Sequence, residues 1–246
     1  MNFMLFFTTN LTFIQLNFII INMIDKYFGF KTLDSEQSVV ESLHDHSKID
    51  ENELFLLRDM ISSLCGNRIP EIEDARKKIN QIHKDSSKTF ANTESQIIQA
   101  HFDLSKQHDL LRIFQRIDVI SSNITYCADH IAIFTRLNGI LPIECHSSLV
   151  DMVDLVNHNH TLFKKALHQF SSNKHSIIAI IHEIIDCEKD LNKLYLTSIE
   201  QIYRLANENK IMKGYMRCLE NIFESFSNLG KSIETASTSL EWLLIN

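Results

Sequence analysis

Carboxylates that lie four residues apart are the clearest candidates for chemistry in this sequence. Asp186 and Asp190 form such a pair, and residues at this spacing share one face of a helix, one turn apart. Two carboxylates placed in this way can bind one hard or borderline cation together, because such ions prefer oxygen ligands. A like-charged pair at this spacing slightly destabilises a free helix, and a bound cation would compensate for that effect.

The acidic pair belongs to a pattern that recurs along the chain. The positions 105 residues before Asp186 and Asp190 are 81 and 85. In the same way, positions 118 and 122 correspond to positions 224 and 228, which lie 106 residues later. The matched pairs of positions are Gln81 and Asp85, Asp118 and Ser122, Asp186 and Asp190, and Glu224 and Asn228. Each pair carries at least one carboxylate beside an apolar stripe. Two interpretations are open at this point: a repeated cation site, or an acidic stripe that faces solvent.

The composition restricts both fold and function. Of 246 residues, 24 are Lys or Arg and 31 are Asp or Glu, and the net charge of −7 argues against a nucleic-acid partner, because phosphate binding needs a basic surface. Only 5 Gly and 2 Pro are present, which excludes a turn-rich all-β fold. The five cysteines form no C-x-x-C pair, which excludes zinc-ribbon and thioredoxin motifs, and their odd number and wide spacing favour a reducing compartment. No nucleophile-elbow, P-loop, dinucleotide or zinc-protease motif occurs, and we therefore predict that the protein is not an enzyme.

Helices must position these carboxylates. From about residue 35 onward, apolar residues recur three and four positions apart, which indicates amphipathic helices packed in a bundle. Residues typical of helix ends occur at Gly66-Asn67, Asn138-Gly139 and Asn207-Glu208-Asn209. Asp50 and Glu53 look like a capping box, which predicts a break in the first helix near residues 47–50. The predicted helices span about 35–65, 70–105, 109–138, 142–170, 175–207 and 210–245.

These helices are expected to form two copies of one unit. Shifting the first three helix starts by about 106 residues reaches the starts of the last three. We therefore predict an all-α fold of six long antiparallel helices in one bundle, residues 35–246. Its pseudo-repeated three-helix units span about 35–138 and 142–245.

The first 24 residues differ from the rest of the chain. Residues 1–24 carry no charged side chain and are rich in Phe, Ile, Leu and Met, as in a transmembrane helix. Asn, Thr and Gln interrupt this run, and no basic residue precedes Lys26, whereas a secretory signal begins with a basic region. We favour an apolar extension outside the fold, and a membrane anchor is the alternative.

Four segments of the chain resemble one protein family in their order and spacing. They are Ile79–Asp85, Phe114–Ser122, Ile184–Asp190 and Leu219–Asn228. Two three-helix units, each with an acidic motif on two helices, are similar to the PhoU-like proteins. Within that superfamily the chain most resembles the phosphate transport regulators that accompany low-affinity, Pit-type phosphate permeases. The resemblance runs from about residue 35 to the C-terminus. It implies an all-helical, cytoplasmic protein held at the inner membrane face by a permease.

The same resemblance implies that the motif carboxylates bind iron or zinc. The residues at the family's ligand positions are Asp85, Asp118, Asp186, Asp190 and Glu224. Neutral side chains replace a carboxylate at Gln81, Ser122 and Asn228. Because a neutral oxygen adds no charge against a cation, we expect any metal site to persist better in the second half of the chain. His182 lies four residues before Asp186, on the same helix face, and is a candidate auxiliary ligand.

The other histidines lack the spacing of a ligand set. His44 and His46 are two residues apart, as are His158 and His160, and side chains at this spacing diverge on a helix. We interpret all four as surface or linker histidines.

We therefore expect a non-enzymatic regulator of inorganic phosphate transport that binds a membrane permease. A helical scaffold or adaptor without metal is the alternative, and the three neutral motif positions favour it. A membrane-tethered helical protein is a third hypothesis, which depends entirely on residues 1–24. No nucleic-acid partner is expected, and assembly into a homo-oligomer is left open.

Overall fold

The structure is a computed structural model that describes residues 31–99, 102–169 and 174–245. The apolar extension expected at residues 1–24 lies outside the described residues. Within the described ranges the chain forms helices and no strand, so the all-α prediction is confirmed. None of the described helices combines the length and the hydrophobicity needed to cross a membrane.

Six long helices make up the described chain. They are α1 Lys31–Cys65, α2 Ile69–Gln99, α3 Leu104–Arg136, α4 His146–His168, α5 Lys174–Asn207 and α6 Lys213–Ile245. A short 3-10 turn, Ile143–Cys145, precedes α4. The α1 helix is continuous, and the predicted break near residues 47–50 is wrong. Asp50 and Glu53 lie in the middle of α1 with buried side chains, so they cap no helix end.

Three helices end in the same way, at an asparagine with left-handed backbone. Asn67, Asn138 and Asn209 have φ angles of 52°, 58° and 57°. After α3, the amide of Gly139 donates to Phe134 O at 2.9 Å, and the amide of Asn138 donates to Thr135 O at 2.9 Å. This hydrogen-bond pattern satisfies helix carbonyls that would otherwise lack donors. The predicted helix ends at these positions are confirmed.

Contacts between the helices follow the order of the chain. Within the first half α1, α2 and α3 contact one another, and within the second half α4, α5 and α6 do the same. The halves meet where α1 packs on α4 and α3 packs on α6. The division into two pseudo-repeated units is a separate matter and stays a prediction.

One hydrophobic core runs through all six helices. Its buried residues extend from Val39 on α1 to Leu244 on α6. The largest fully buried side chains in the described part of the chain include Phe114, Phe134, Phe163, Phe223 and Phe226. Burying aromatic side chains of this size contributes strongly to stability, since each removes a large apolar area from water.

Candidate functional site

Asp186 and Asp190 lie on an exposed face of α5. Their side chains are 75% and 70% exposed. Each carboxylate faces a lysine three residues further along the helix: Lys189 Nζ lies 2.8 Å from Asp186 Oδ1, and Lys193 Nζ lies 4.0 Å from Asp190 Oδ1. The hydrogen bond and charge of Lys189 lower the pKa of Asp186. The repulsion expected between the two carboxylates is therefore reduced by lysines of the same helix.

Glu224 has a different set of neighbours. It is exposed on α6, and its charge acts on Tyr195 of α5 and His130 of α3. Burial raises the pKa of Tyr195, and the charges of Glu224 and Glu220 raise it further. Burial lowers the pKa of His130, while the nearby carboxylates oppose that shift. Glu224 thus lies beside α3 and α5, next to a tyrosine and a histidine.

The first-half carboxylates are also separated. Asp85 is exposed on α2, where the Gln81 side-chain amide donates to Asp85 Oδ2 at 2.7 Å. Asp118 is half-buried on α3, and its charge acts on three α1 side chains. Those side chains are His46, Asp50 and Glu53.

In this structure, the side chains of the predicted metal ligands do not converge on a common point. Across the ranges that the structure describes, no group of three or more His, Cys, Asp or Glu side chains is placed to hold a metal ion. His182 lies on the exposed surface, with Nε2 3.9 Å from Glu241 Oε1. Metal binding by these residues stays a prediction.

A different set of polar side chains does come together, inside the bundle. We call it the buried polar cluster, and it consists of His46, Asp50 and Glu53 from α1, Ser121 from α3 and His160 from α4. Asp50 is 2% exposed and Glu53 is 0% exposed. Charged residues are almost never buried to this extent without a partner of opposite charge.

Hydrogen bonds connect part of the buried polar cluster. Ser121 Oγ donates to Glu53 Oε2 at 2.8 Å, and His83 Nδ1 of α2 lies 2.9 Å from the same Ser121 oxygen. His160 Nε2 lies 3.4 Å from Ser47 Oγ and 3.9 Å from Asp50 Oδ2. Three buried atoms of the cluster have no hydrogen-bond partner among the described residues: His46 Nε2, Asp50 Oδ2 and Glu53 Oε1.

Burial shifts the pKa of each titratable group in the cluster toward its neutral form. It raises the pKa of Glu53 to about 8 against the opposing Ser121 hydrogen bond, with smaller contributions from the charges of Asp50 and Asp118. Burial, and then the Asp118 charge, raise the pKa of Asp50 well above its usual range. Burial lowers the pKa of His160 to about 4 and also lowers that of His46. At neutral pH Glu53 is therefore mostly protonated and His160 is neutral, and burial favours the neutral forms of Asp50 and His46 as well.

The interpretation of His46 and His160 as surface or linker histidines is wrong, since both are buried. The residue spacing contained a signal that could have located this cluster. His46 and Asp50 continue the stripe that begins with Val39 and Leu43, at steps of three and four residues. A polar residue on the apolar stripe of a helix is carried into the core by its neighbours.

Comparisons with solved structures identify the fold. A PhoU-like protein from Shewanella oneidensis MR-1 superimposes with a TM-score of 0.73 at 16% identity, covering 84% of this chain and 99% of that one. The chain has the PhoU-like fold. A second PhoU-like protein of that organism, described as a phosphate regulatory protein, gives a TM-score of 0.71 with the same identity and coverage. PhoU from Pseudomonas aeruginosa gives 0.66 at 9% identity, covering 86% of this chain and 98% of that one.

The PhoU-like resemblance inferred from the acidic motifs is thus confirmed at the level of the fold. No protein-family model matches the sequence, and no curated protein matches it either.

Proposed function

We propose that this chain is a regulator of inorganic phosphate transport that acts by binding and not by catalysis. The observation that supports the proposal is the match of nearly the whole length of two PhoU-like proteins, one of them described as a phosphate regulatory protein. A PhoU-like chain of this length offers helical surfaces for a partner.

The partner we propose is a Pit-type phosphate permease, with the regulator on the cytoplasmic side of the membrane. One end of the bundle offers an apolar surface suited to such contact. We call it the loop-end patch, and it consists of the exposed side chains Leu137, Ile140, Ile143 and Met212. Exposed apolar residues that cluster together are typical of protein-binding surfaces.

Contacts between two loops hold the loop-end patch together. The Tyr215 hydroxyl donates to Leu137 O at 2.9 Å, and Lys210 Nζ lies 4.0 Å from Glu144 Oε1. These contacts join the segment between α3 and α4 to the first turn of α6 and to the segment between α5 and α6. The apolar side chains are therefore presented by a supported surface.

Capture of a permease tests this proposal. The full chain, immobilised, should retain a Pit-type permease from detergent-solubilised membranes, and an Ile140→Ser/Ile143→Ser variant should retain at least tenfold less. Leu104→Ser is the matched control, because Leu104 is also exposed but lies at the opposite end of α3. Failure of the wild-type chain to retain the permease, or equal loss in the control, would contradict the proposal.

Metal binding is a separate part of the proposal, and it can fail without affecting permease binding. Elemental analysis of the full chain should detect iron or zinc, with a larger loss in Asp186→Asn/Asp190→Asn than in Asp85→Asn/Asp118→Asn. Absence of both metals from the wild-type chain would favour the scaffold without metal. The neutral motif positions and the lysines beside Asp186 and Asp190 support that second candidate.

A further inference from the structure

The buried polar cluster contains two acids that no cation compensates within the described part of the chain. Asp50 and Glu53 each have one carboxyl oxygen without a hydrogen-bond partner in residues 31–99, 102–169 and 174–245, and both side chains are almost completely buried. Leaving an ionised carboxylate in such a place destabilises the fold strongly, because the charge loses its hydration without gaining a partner. Some species must therefore neutralise the two acids in the folded chain.

The groups that face the two acids do not supply that charge. On α1 itself the neighbour is His46, whose imidazole packs against Phe114 with ring centroids 5.1 Å apart. On α3 the facing titratable group is Asp118, which is acidic. On α2, the hydrogen bonds of His83 reach Glu53 only indirectly, through the Ser121 hydroxyl.

On α4 the facing group is His160, and burial keeps this imidazole neutral. Lys164 of α4 is a cation near His160, but its ammonium group pairs with Glu51 on α1. The amine is therefore engaged by an acid outside the cluster.

We propose that Asp50 and Glu53 form a buried proton-binding site that controls how tightly α1 packs against α3 and α4. Each carboxyl takes up one proton from solvent and returns it to solvent, and no other bond changes. A proton fits the site better than a metal ion, because no three suitable ligands converge anywhere in the described chain. Protonation also removes the negative charge of the carboxyl, which reduces the cost of burial.

Ser121 connects the site with the edge of the core. Its hydroxyl lies between buried Glu53 and half-buried His83 on the next helix. Hydrogen bonds thus lead from the deepest carboxyl toward solvent across the α2–α3 interface.

The directions of the pKa shifts determine whether the stability of the folded chain rises or falls with pH. Glu53 and Asp50 bind protons more tightly in the folded chain, so folding weakens as the pH rises from about 4 through the folded pKa of Glu53, near 8. His160 and His46 bind protons less tightly when folded, which strengthens folding as the pH rises toward 6.5. The opposing effects overlap below pH 6.5, and the loss of stability caused by Glu53 is no longer opposed between pH 6.5 and 8.

Carbon-13 NMR titration of the Glu53 carboxyl, together with urea unfolding of the full chain, tests the proposal. Glu53 should titrate near pH 8. The unfolding equilibrium constant should rise by up to about tenfold per pH unit for each proton released between pH 6.5 and 8. Glu53→Gln should flatten this dependence, and Asp50→Asn/Glu53→Gln should flatten it further.

Glu200→Gln is the matched control, because Glu200 is exposed on α5, and it should leave the pH dependence unchanged. A Glu53 titration near pH 4.5 would overturn the proposal, as would an unchanged slope in Glu53→Gln. Stoichiometric metal in the wild-type chain that is lost from Asp50→Asn/Glu53→Gln would overturn it in favour of a cation site.

Discussion

Ser121 is the residue on which the geometry of the buried polar cluster depends. Its single hydroxyl donates to Glu53 and lies within hydrogen-bond distance of His83, so one side chain joins α1, α2 and α3. Its neighbour Ser122 is exposed on the same helix. Two adjacent serines therefore have very different roles, because successive helix positions point about 100° apart.

Replacing Ser121 should affect both stability and titration. We expect Ser121→Ala to lower the free energy of unfolding by about 1–2 kcal/mol, since it leaves a buried carboxyl oxygen without a donor. The same change should raise the pKa of Glu53 further, because the hydroxyl now lowers it. Urea unfolding and NMR titration measure the two effects. Ser122→Ala is the control, and an equal effect in both variants would contradict this account.

For single residues, the sequence predicted which charged positions matter better than it predicted which side chains are buried. Asp118 was chosen for its motif position, and the structure places it where its charge acts on the cluster. Asp50 and Glu53 were misread as a capping box because an S/T/D-x-x-E pattern occurs in helix interiors as well as at helix starts. Only the packing of α1 shows that the helix continues through them.

At the scale of the helices, the asparagines with left-handed backbone allow a direct test of what stabilises a helix end. Asn209 has a φ angle of 57°, and the amide of Lys210 donates to Leu205 O at 2.8 Å. Asn209→Ala should lower the free energy of unfolding by about 1 kcal/mol, because the short polar side chain of asparagine tolerates left-handed backbone better than the methyl group of alanine does. Asn209→Gly should keep or raise it, and Asn207→Ala, within the helix, should change it little. Thermal unfolding measures all three variants, and equal effects of the two alanines would contradict the prediction.

The close approach of α5 and α6 depends on Gly230. A Cβ atom added there would lie 2.1 Å from Leu191 Cδ2, whereas Gly214 on the same helix has no neighbour within 4 Å of such an atom. Gly230→Ala should lower the free energy of unfolding by about 1 kcal/mol, since crowding in the core exceeds the gain in helix propensity. Gly214→Ala should raise it by about 0.5 kcal/mol. A stabilising effect of Gly230→Ala in urea unfolding would show that the two helices separate readily.

Periodicity predicted the helices well, and local capping explains where it failed. The third helix is predicted to begin at about residue 109, yet α3 begins at Leu104. The Asp103 carboxylate accepts from the amide of Lys106 at 2.9 Å and starts the helix earlier. An apolar repeat records only the buried face, so it cannot detect a first turn that is exposed to solvent.

For the whole molecule, the continuous core predicts that the two halves unfold together. Ile117 on α3 and Ile222 on α6 are both buried in the same cluster of side chains. Ile117→Val and Ile222→Val should each lower the free energy of unfolding by about 1 kcal/mol, through lost apolar contact. Both should shift one common transition, measured by circular dichroism and by Trp242 fluorescence. Two transitions, each sensitive to one variant, would show that the halves are independent.

The overall architecture could be predicted because long helices leave few alternatives. Six amphipathic segments with short connections pack most simply as antiparallel neighbours. Whether the predicted metal ligands meet could not be derived in this way. A helical repeat fixes the face of each carboxylate, but rotation and sliding of neighbouring helices decide its distance from the next one. Asp186 and Glu224 show the result, because their neighbours are different.

The left-handed turn at Asn138 has a chemical consequence for the lifetime of the chain. Asparagine followed by glycine is especially prone to deamidation, which begins when the glycine backbone nitrogen attacks the asparagine side-chain carbon. Here that nitrogen belongs to Gly139 and donates its hydrogen to Phe134 O, while the asparagine backbone is held in one conformation. We therefore expect Asn138 to deamidate slowly in folded molecules and quickly in unfolded ones. The isoaspartate content of a stored sample becomes a record of the time that its chains have spent unfolded.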